Sequence, residues 1–117
     1  MTDTIVKELV SGIEPARRSP GGESYFSLED TLELLRRCGR MGIAAVYPEV
    51  FEQLGKSVKV VDMHGFDNHL KENASWGEIV AKVNAHALAF VEQQRKRPAP
   101  VLFTWVVFSS PEDGESL

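Results

Sequence analysis

The sequence contains a single cysteine, Cys38, among its 117 residues. One thiol excludes an intramolecular disulfide and favours a reducing compartment. The chain also lacks a long apolar stretch, because the longest apolar run, residues 101–108, is far shorter than the ~20 residues of a membrane-spanning helix. Residues 1–4 lack the basic start and apolar run of a secretory signal peptide. We therefore expect a cytoplasmic protein without membrane contact.

The chain has no excess of positive charge, since 13 Lys and Arg face 17 Asp and Glu, for a net charge of −4. Phosphate backbones are bound by basic surfaces, so this balance argues against a nucleic-acid-binding protein. Residues 111–117 carry three acidic side chains and no basic one. We expect a single domain over residues 1–109, followed by a flexible acidic tail over residues 110–117.

Several segments carry apolar residues at helical spacing. This spacing predicts helices over residues 3–13, from 28 to 39 or 42, and over 76–95. Cap sequences precede the second and third of them, Ser27-Leu-Glu-Asp30 and Ser75-Trp-Gly-Glu78. Pro48 at a first helical position and Gly55 at its end predict a further short helix over 48–54, with one longer helix over 43–54 as the alternative.

Three short apolar segments, residues 43–47, 57–63 and 101–108, predict strands. The last segment is apolar on both sides apart from Thr104, so we place it at the centre of a sheet that helices cover on both faces. Strands separated by helices favour a parallel or mixed sheet with right-handed crossovers. The expected fold class is α/β or α+β: a single small domain with a sheet of about three parallel or mixed strands, packed by three to four helices.

The densest group of chemically active side chains lies between residues 62 and 72, which include two histidines and three carboxylates. Imidazole and carboxylate bind borderline divalent metals and act as acids and bases. Asp62 and His64 are expected on one face at the C-terminal end of a strand, and Gly65 allows a turn that returns Asp67 or His69 towards them. The candidate catalytic residues are Asp62, His64, Asp67 and His69, and the candidate metal ligands are Asp62, His64 and His69.

The histidine spacing in this segment matches no ligand motif. Two alternatives therefore stay open: a solvated polar loop, and a structural role in which Asp62 and His64 are simply hydrogen-bonded. The other histidine, His86, lies beside the apolar stripe of the long helix, which predicts a boundary residue with one hydrogen bond. Cys38 lies on the apolar stripe of its helix, which predicts an inert, buried thiol.

A second candidate site is the glycine-rich segment of residues 17–22. Adjacent arginines and flexible backbone can hold a phosphate or a carboxylate, so the anion-binding candidates are Arg17, Arg18, Gly21 and Gly22. A phosphate loop normally leads straight into a helix and is followed by a lysine, and neither is found here. A mobile connector is the alternative interpretation.

The sequence identifies neither a catalytic motif nor a cofactor, and the question of enzymatic activity stays open. We expect a small non-enzymatic accessory or protein-interaction domain in an oligomer or larger complex, in which a protein partner or a second copy covers the apolar final strand. The alternative is a small metal- or ligand-binding protein, or an enzyme, that uses residues 62–72. A third hypothesis is an anion or nucleic-acid contact through the arginines.

Overall fold

The computed structural model describes residues 2–117, with side chains from residue 4 onward. The described chain forms three α-helices, α1 (Thr2–Leu9), α2 (Leu28–Met41) and α3 (Trp76–Gln93). Two short 3-10 helices cover Asp67–Lys71 and Gln94–Lys96. The strands are β1 (Arg17–Arg18), β2 (Ser24–Ser27), β3 (Ala44–Ala45), β4 (Glu49–Leu54), β5 (Ser57–Met63), β6 (Val101–Thr104), β7 (Val106–Phe108) and β8 (Gly114–Ser116).

These strands form two antiparallel sheets. The larger sheet has the order β1-β2-β6-β4-β5, and the smaller one has the order β3-β7-β8. All their strand pairs are antiparallel. The fold is α+β, and the prediction of a sheet of about three parallel or mixed strands is therefore wrong, whereas the number of α-helices in the described chain, three, lies within the predicted three to four. Short connections make hairpins of β1 with β2, β4 with β5 and β7 with β8, and such connections give antiparallel pairs, whereas a parallel pair needs a long crossover.

The clearest local correction concerns residues 48–54, which were expected to be helical and instead form β4. Val50 faces the core and Phe51 the opposite side of the sheet, so both side chains are buried without a helix. Gly55 has φ of 63° in the two-residue turn into β5, rather than at a helix end. The expected final strand is also divided at Trp105 into β6 and β7.

All three helices lie where hydrophobic spacing predicted them, although α1 ends at Leu9. Ser27 caps α2, because its hydroxyl accepts a hydrogen bond from the backbone N–H of Asp30 at 3.2 Å. At α3 the predicted capping box of Ser75 and Glu78 is present in both directions. Within residues 2–117, no helix combines the length and apolar character needed to cross a membrane.

The helices pack against only one face of the larger sheet. On that inner face, Phe26, Phe103 and Val50 lie side by side and join the main core with the apolar residues of the helices. The opposite, outer face carries a separate apolar cluster of strand residues alone, made of Tyr25, Phe51 and Leu102 with Val58 beside them. The expectation that helices cover both faces of the final strand is therefore wrong.

The outer face of β6 is shielded by rings from the two neighbouring strands. Tyr25 and Phe51 meet edge to face, with ring centroids 5.0 Å apart and planes at 81°. Leu102 beneath them is only 4% exposed. In the segment expected to be an acidic tail, β8 pairs with β7. The mobility of the rest of that segment stays a prediction.

Candidate functional site

All three histidines of the chain lie on one surface, where the segment after β5 crosses α3. Two backbone hydrogen bonds fix the path of this segment. The N–H of His64 donates to the Pro48 carbonyl at 3.2 Å, and the N–H of Phe66 donates to the Val46 carbonyl at 3.1 Å. They place Phe66, 5% exposed, against the core, with a histidine on each side of it in the sequence.

The rings on this surface form a connected group that we call the ring cluster. His64 meets Phe66 edge-on at a centroid distance of 4.6 Å and stacks beside Phe90 at 6.0 Å. His86 is nearly parallel to Phe66 at 5.9 Å, and His69 is nearly parallel to His86 at 5.0 Å. Phe66 and Phe90 are almost perpendicular, at 80°. The cluster therefore combines stacked and edge-on pairs, as quadrupolar rings prefer.

An open groove of about 360 Å³ runs along the ring cluster. Its walls combine the ring cluster with polar side chains from the end of β5 and from α3, and they are formed by Asp62, His64, Phe66, His86, Ala89, Phe90 and Gln93. Asp62 is the only one of these residues that carries a formal charge when histidine is neutral. The groove is therefore an aromatic surface with one anionic end.

The Asp62 carboxylate keeps free hydrogen-bonding capacity. Its Oδ1 accepts the backbone N–H of Met63 at 2.8 Å, while its Oδ2 lies 3.6 Å from Nη2 of Arg97. A charge-assisted hydrogen bond usually spans about 2.7–2.9 Å, so the contact with Arg97 is a loose ion pair. The Asp62 side chain is 42% exposed. Because a carboxylate has about four acceptor positions, Asp62 can bind another donor.

The neighbouring carboxylate, Glu72, is by contrast fully engaged. Its Oε2 lies 2.6 Å from Nδ1 of His69, and Nζ of Lys82 donates to both carboxylate oxygens, at 3.0 and 3.1 Å. The hydrogen bond with His69, followed by that with Lys82, lowers the pKa of Glu72 below its usual value. These contacts join the 3-10 helix to α3, so they hold the ring cluster in place.

The predicted catalytic and metal residues do not converge. Asp62 and His64 share the groove and His69 belongs to the ring cluster, but Asp67 lies near Tyr47. Burial raises the pKa of Tyr47, and the charge and hydrogen bond of Asp67 raise it further.

The described side chains include no group of three or more His, Cys, Asp or Glu placed to hold a metal. The planes of His69 and His86 differ by only 6° in a stacked arrangement. A metal must lie close to the plane of each imidazole that binds it, and stacked parallel planes share no such point. The catalytic and metal assignments thus stay predictions that this geometry does not support.

The sequence analysis missed two contributors to the groove, His86 and Phe90. They are four residues apart on α3 and therefore share one face of it. That spacing was visible in the sequence, but it was interpreted as a boundary position beside the core. Phe66 packs against this face of α3, so the face becomes part of the groove, and no local pattern in the sequence indicates that contact.

The predicted anion-binding residues have other partners. The Arg17 guanidinium donates to the side-chain carbonyl of Gln53 at 3.4 Å, to the backbone carbonyl of Gly55 at 3.1 Å and to that of Lys56. Arg17 therefore holds the turn between β4 and β5.

The other anion-binding candidates lie beside a second surface depression. Arg18 donates to the Ser24 hydroxyl at 3.0 Å. Together with Gly21 and Gly22 it borders a groove of about 640 Å³, whose walls also include Val6 of α1 and apolar residues that follow this helix. A phosphate site needs several donors that point to one place, and the structure shows no such convergence among these residues. Anion binding at this loop stays a prediction.

Cys38 is buried, as predicted, and only 1% exposed. Burial raises the pKa of its thiol to about 12. The reactive form of cysteine is the thiolate, so this thiol is unreactive near neutral pH. Cys38 is therefore part of the core and does not serve as a nucleophile.

A second surface feature lies on the hairpin formed by β4 and β5. Four large hydrophobic side chains are exposed in the described part of the chain: Tyr47 (37%), Leu54 (52%), Val60 (44%) and Met63 (62%). Only Val60 and Met63 share one face of the hairpin, and we call these two the hairpin patch; Leu54 lies on the opposite face beside the turn, and Tyr47 precedes β4. Val60 is paired with Phe51 and Met63 with Glu49, so both extend the outer face towards the edge of the sheet.

Comparisons of the chain with protein-family models, with curated proteins and with solved structures found no match. Two surfaces of the described chain are candidates for function, the groove along the ring cluster and the hairpin patch. They lie on opposite faces of the edge strand β5, near its end, where Asp62 lines the groove and the next residue, Met63, belongs to the patch.

Proposed function

We propose that this protein is a small non-enzymatic protein-interaction domain that serves as an accessory part of a larger cytoplasmic assembly. The observation that carries the proposal is the hairpin patch, because the exposed Val60 and Met63 extend the apolar cluster of the outer face to the edge of the sheet. Covering such a patch removes apolar surface from water and gains about 25 cal/mol per Å². A concentration of this kind is typical of an interaction surface rather than of scattered exposure.

The partner is expected to bind side chains of the outer face and not to add a strand to β5. Strand β5 is at the edge of its sheet, but three features oppose strand addition. A register shift lies beside Val50 and Phe51, Lys59 places a charge on the edge, and the Asp62 side chain caps the free N–H of Met63. Bulges and edge lysines are known to block edge-to-edge pairing.

The partner we propose is a different protein. Two copies of this chain, each with a net charge of −4, repel one another, whereas a neutral or basic partner is attracted. The patch consists of only two exposed side chains, so the interface belongs to the small, transient class below about 1,200 Å².

The test compares variants of the full-length chain in a mild affinity purification from the native host, with intact-mass analysis of the recovered complex. Met63→Glu places a charge in the hairpin patch, and Ser57→Glu places the same charge on the same strand outside it. We expect Met63→Glu to reduce the recovered partner at least about tenfold, while Ser57→Glu retains it. Urea denaturation verifies that both variants stay folded.

Two results would overturn the proposal. One is a wild-type chain recovered alone, and the other is a partner that Met63→Glu and Ser57→Glu retain equally. Light scattering of the purified chain provides a separate measurement, because a stable homo-oligomer that Met63→Glu dissociates would replace the proposed partner with a second copy.

A further inference from the structure

We propose that the groove along the ring cluster binds the guanidinium group of an arginine side chain. The inference deepens the proposed function, since the arginine would belong to the interaction partner. Asp62 and Met63 are adjacent on the edge strand β5, with Asp62 on the inner face and Met63 on the outer face, so a partner seated on the patch can reach the groove around the edge of the sheet.

Charge favours a cation. Asp62 is the one formally charged group among the side chains that line the groove, and its carboxylate keeps open acceptor positions. The face of an aromatic ring carries the negative part of its quadrupole, which attracts cations and repels anions, and Phe90 is the half-buried phenylalanine of the groove, whereas Phe66 is buried. The amide oxygen of Gln93 adds a further acceptor.

Ring geometry favours guanidinium over other cations. A metal ion needs several ligands that converge on one point, and the described side chains provide no such group. An ammonium ion is a compact and strongly hydrated charge. Guanidinium is planar and weakly hydrated, so it can lie flat against an aromatic ring while it donates two parallel hydrogen bonds to a carboxylate. Asp62 and the neighbouring His64 and Phe90 rings supply both kinds of contact.

The size of the groove suits one side chain. A volume of about 360 Å³ is at the lower end of the range for small-molecule pockets, about 300–1,000 Å³, and the groove is open along its length. The chain itself shows that Asp62 attracts a guanidinium group, because Arg97 lies 3.6 Å away. The Nε of Arg97 donates to the Gln94 side chain at 2.7 Å, which holds Arg97 outside the lining of the groove.

The experiment titrates the full-length, isotope-labelled chain with N-acetyl-arginine methylamide and follows backbone amide shifts by NMR. The matched ligand is the citrulline derivative, which keeps the planar shape and lacks the charge. We expect saturable shifts in residues 62–66 and 86–93, and binding about five- to tenfold weaker for the citrulline derivative. Because this comparison uses the unaltered chain, it does not depend on the stability of any variant.

Two carboxylate variants complete the test. Asp62→Asn should weaken arginine binding about five- to tenfold, whereas Asp67→Asn removes the same charge outside the groove and should leave binding unchanged. The inference is overturned if no saturable shifts occur, if the citrulline or lysine derivative binds as tightly as the arginine derivative, or if both variants behave alike. If Met63→Glu abolishes recovery of the partner but the unaltered chain does not bind the arginine derivative, this inference fails while the proposed function stands.

Discussion

Asn84 of α3 provides the sharpest test of how the smaller sheet is held to this helix. Its side-chain oxygen accepts the backbone N–H of Ala45 at 2.9 Å, and its amide nitrogen donates to the Ile43 carbonyl at 2.8 Å. Strand β3 is at the edge of the smaller sheet, so this amide takes the place of a missing neighbouring strand. Asn84 is 6% exposed, and Ile43 and Ala45 are each 1% exposed. Replacement of Asn84 therefore leaves two backbone groups without partners and largely out of reach of water.

The expected cost follows from these two groups. Leaving a buried donor or acceptor unpaired costs about 1–3 kcal/mol, so Asn84→Ala should lower the free energy of unfolding by about 2–5 kcal/mol. That is a large part of the roughly 5–15 kcal/mol that stabilises a typical domain. Gln93→Ala also removes an amide from α3, at an exposed position, and should change stability by less than about 0.5 kcal/mol.

The variant Asn84→Asp should also make the free energy of unfolding depend on pH, in a direction that follows from the two hydrogen bonds. The ionised carboxylate still accepts from Ala45, but it offers no donor to the Ile43 carbonyl, whereas the protonated acid restores one. Burial raises the pKa of the new acid in the folded state above the unfolded value of about 3.9. The stability of the protonated form is therefore complete below that value and is lost as the pH rises through the folded-state pKa.

Urea denaturation followed by tryptophan fluorescence measures both effects, since Trp105 is only 3% exposed. Relative to wild type, Asn84→Asp should be less destabilised at about pH 5 than at about pH 8. The argument fails if Asn84→Ala costs less than about 1 kcal/mol, or if the Asn84→Asp difference does not depend on pH.

Two further predictions concern the core and the glycines. Because burial raises the pKa of Cys38 to about 12, the folded protein should resist thiol reagents at about pH 8 and react fully in denaturant. The stability due to this raised pKa is present below the unfolded value of about 8.5 and is lost above it, by about 1.4 kcal/mol per pH unit. Cys38→Ala should therefore lose less stability than wild type between about pH 9 and 11, and equal losses would contradict the argument. A Cβ at Gly114 would lie 2.7 Å from Cζ of Phe108, so Gly114→Ala should destabilise by about 1–2 kcal/mol. Gly39 lies in α2 with open space around the position of a Cβ, so Gly39→Ala should stabilise the protein by about 0.5–1 kcal/mol. Urea denaturation measures both glycine variants, and changes in the free energy of unfolding with the same sign would refute the comparison.

The helices could be predicted because their signals are local. The stripe of apolar residues and the capping hydroxyl at Ser75 act within a few residues of each other, and the structure shows the expected cap. Strand β5 was predicted with the bounds 57–63 for the same reason. The central place of β6 also followed from its apolar residues on both faces, and it is the middle strand of the larger sheet.

The antiparallel arrangement could not be predicted because one residue can serve two different structures. Gly55 was interpreted as a helix end, and it is the first residue of a hairpin turn. Both positions need a positive φ, which glycine adopts without strain. The choice between them depends on the segment before it. Val50 and Phe51 are buried on opposite faces, and Phe51 is buried because it packs against Tyr25 of β2, which is distant in the sequence.

Only part of the groove could be predicted from the sequence, for a similar reason. Asp62 and His64 attracted attention because they are close in sequence, whereas His86 and Phe90 belong to a helix that follows later. The contact between the two segments depends on Phe66, which is buried against the core and presents its ring to His86. A tertiary contact of this kind has no local signature, so composition identifies the polar segment but not the site.

The arrangement of the ring cluster does not favour shared metal binding by His69 and His86. A metal needs nitrogen lone pairs that converge on one point, and these two stacked imidazoles direct theirs along separate planes. Aromatic recognition needs only ring faces and a nearby charge, and it tolerates small displacements of the partner. Glu72, which could have served as a base, is instead bound by His69 and Lys82, so it positions the rings. Asp62, whose carboxylate is only loosely paired with Arg97, lies on the edge strand next to Met63, so under the proposed function its charge would contribute to the selection of a partner.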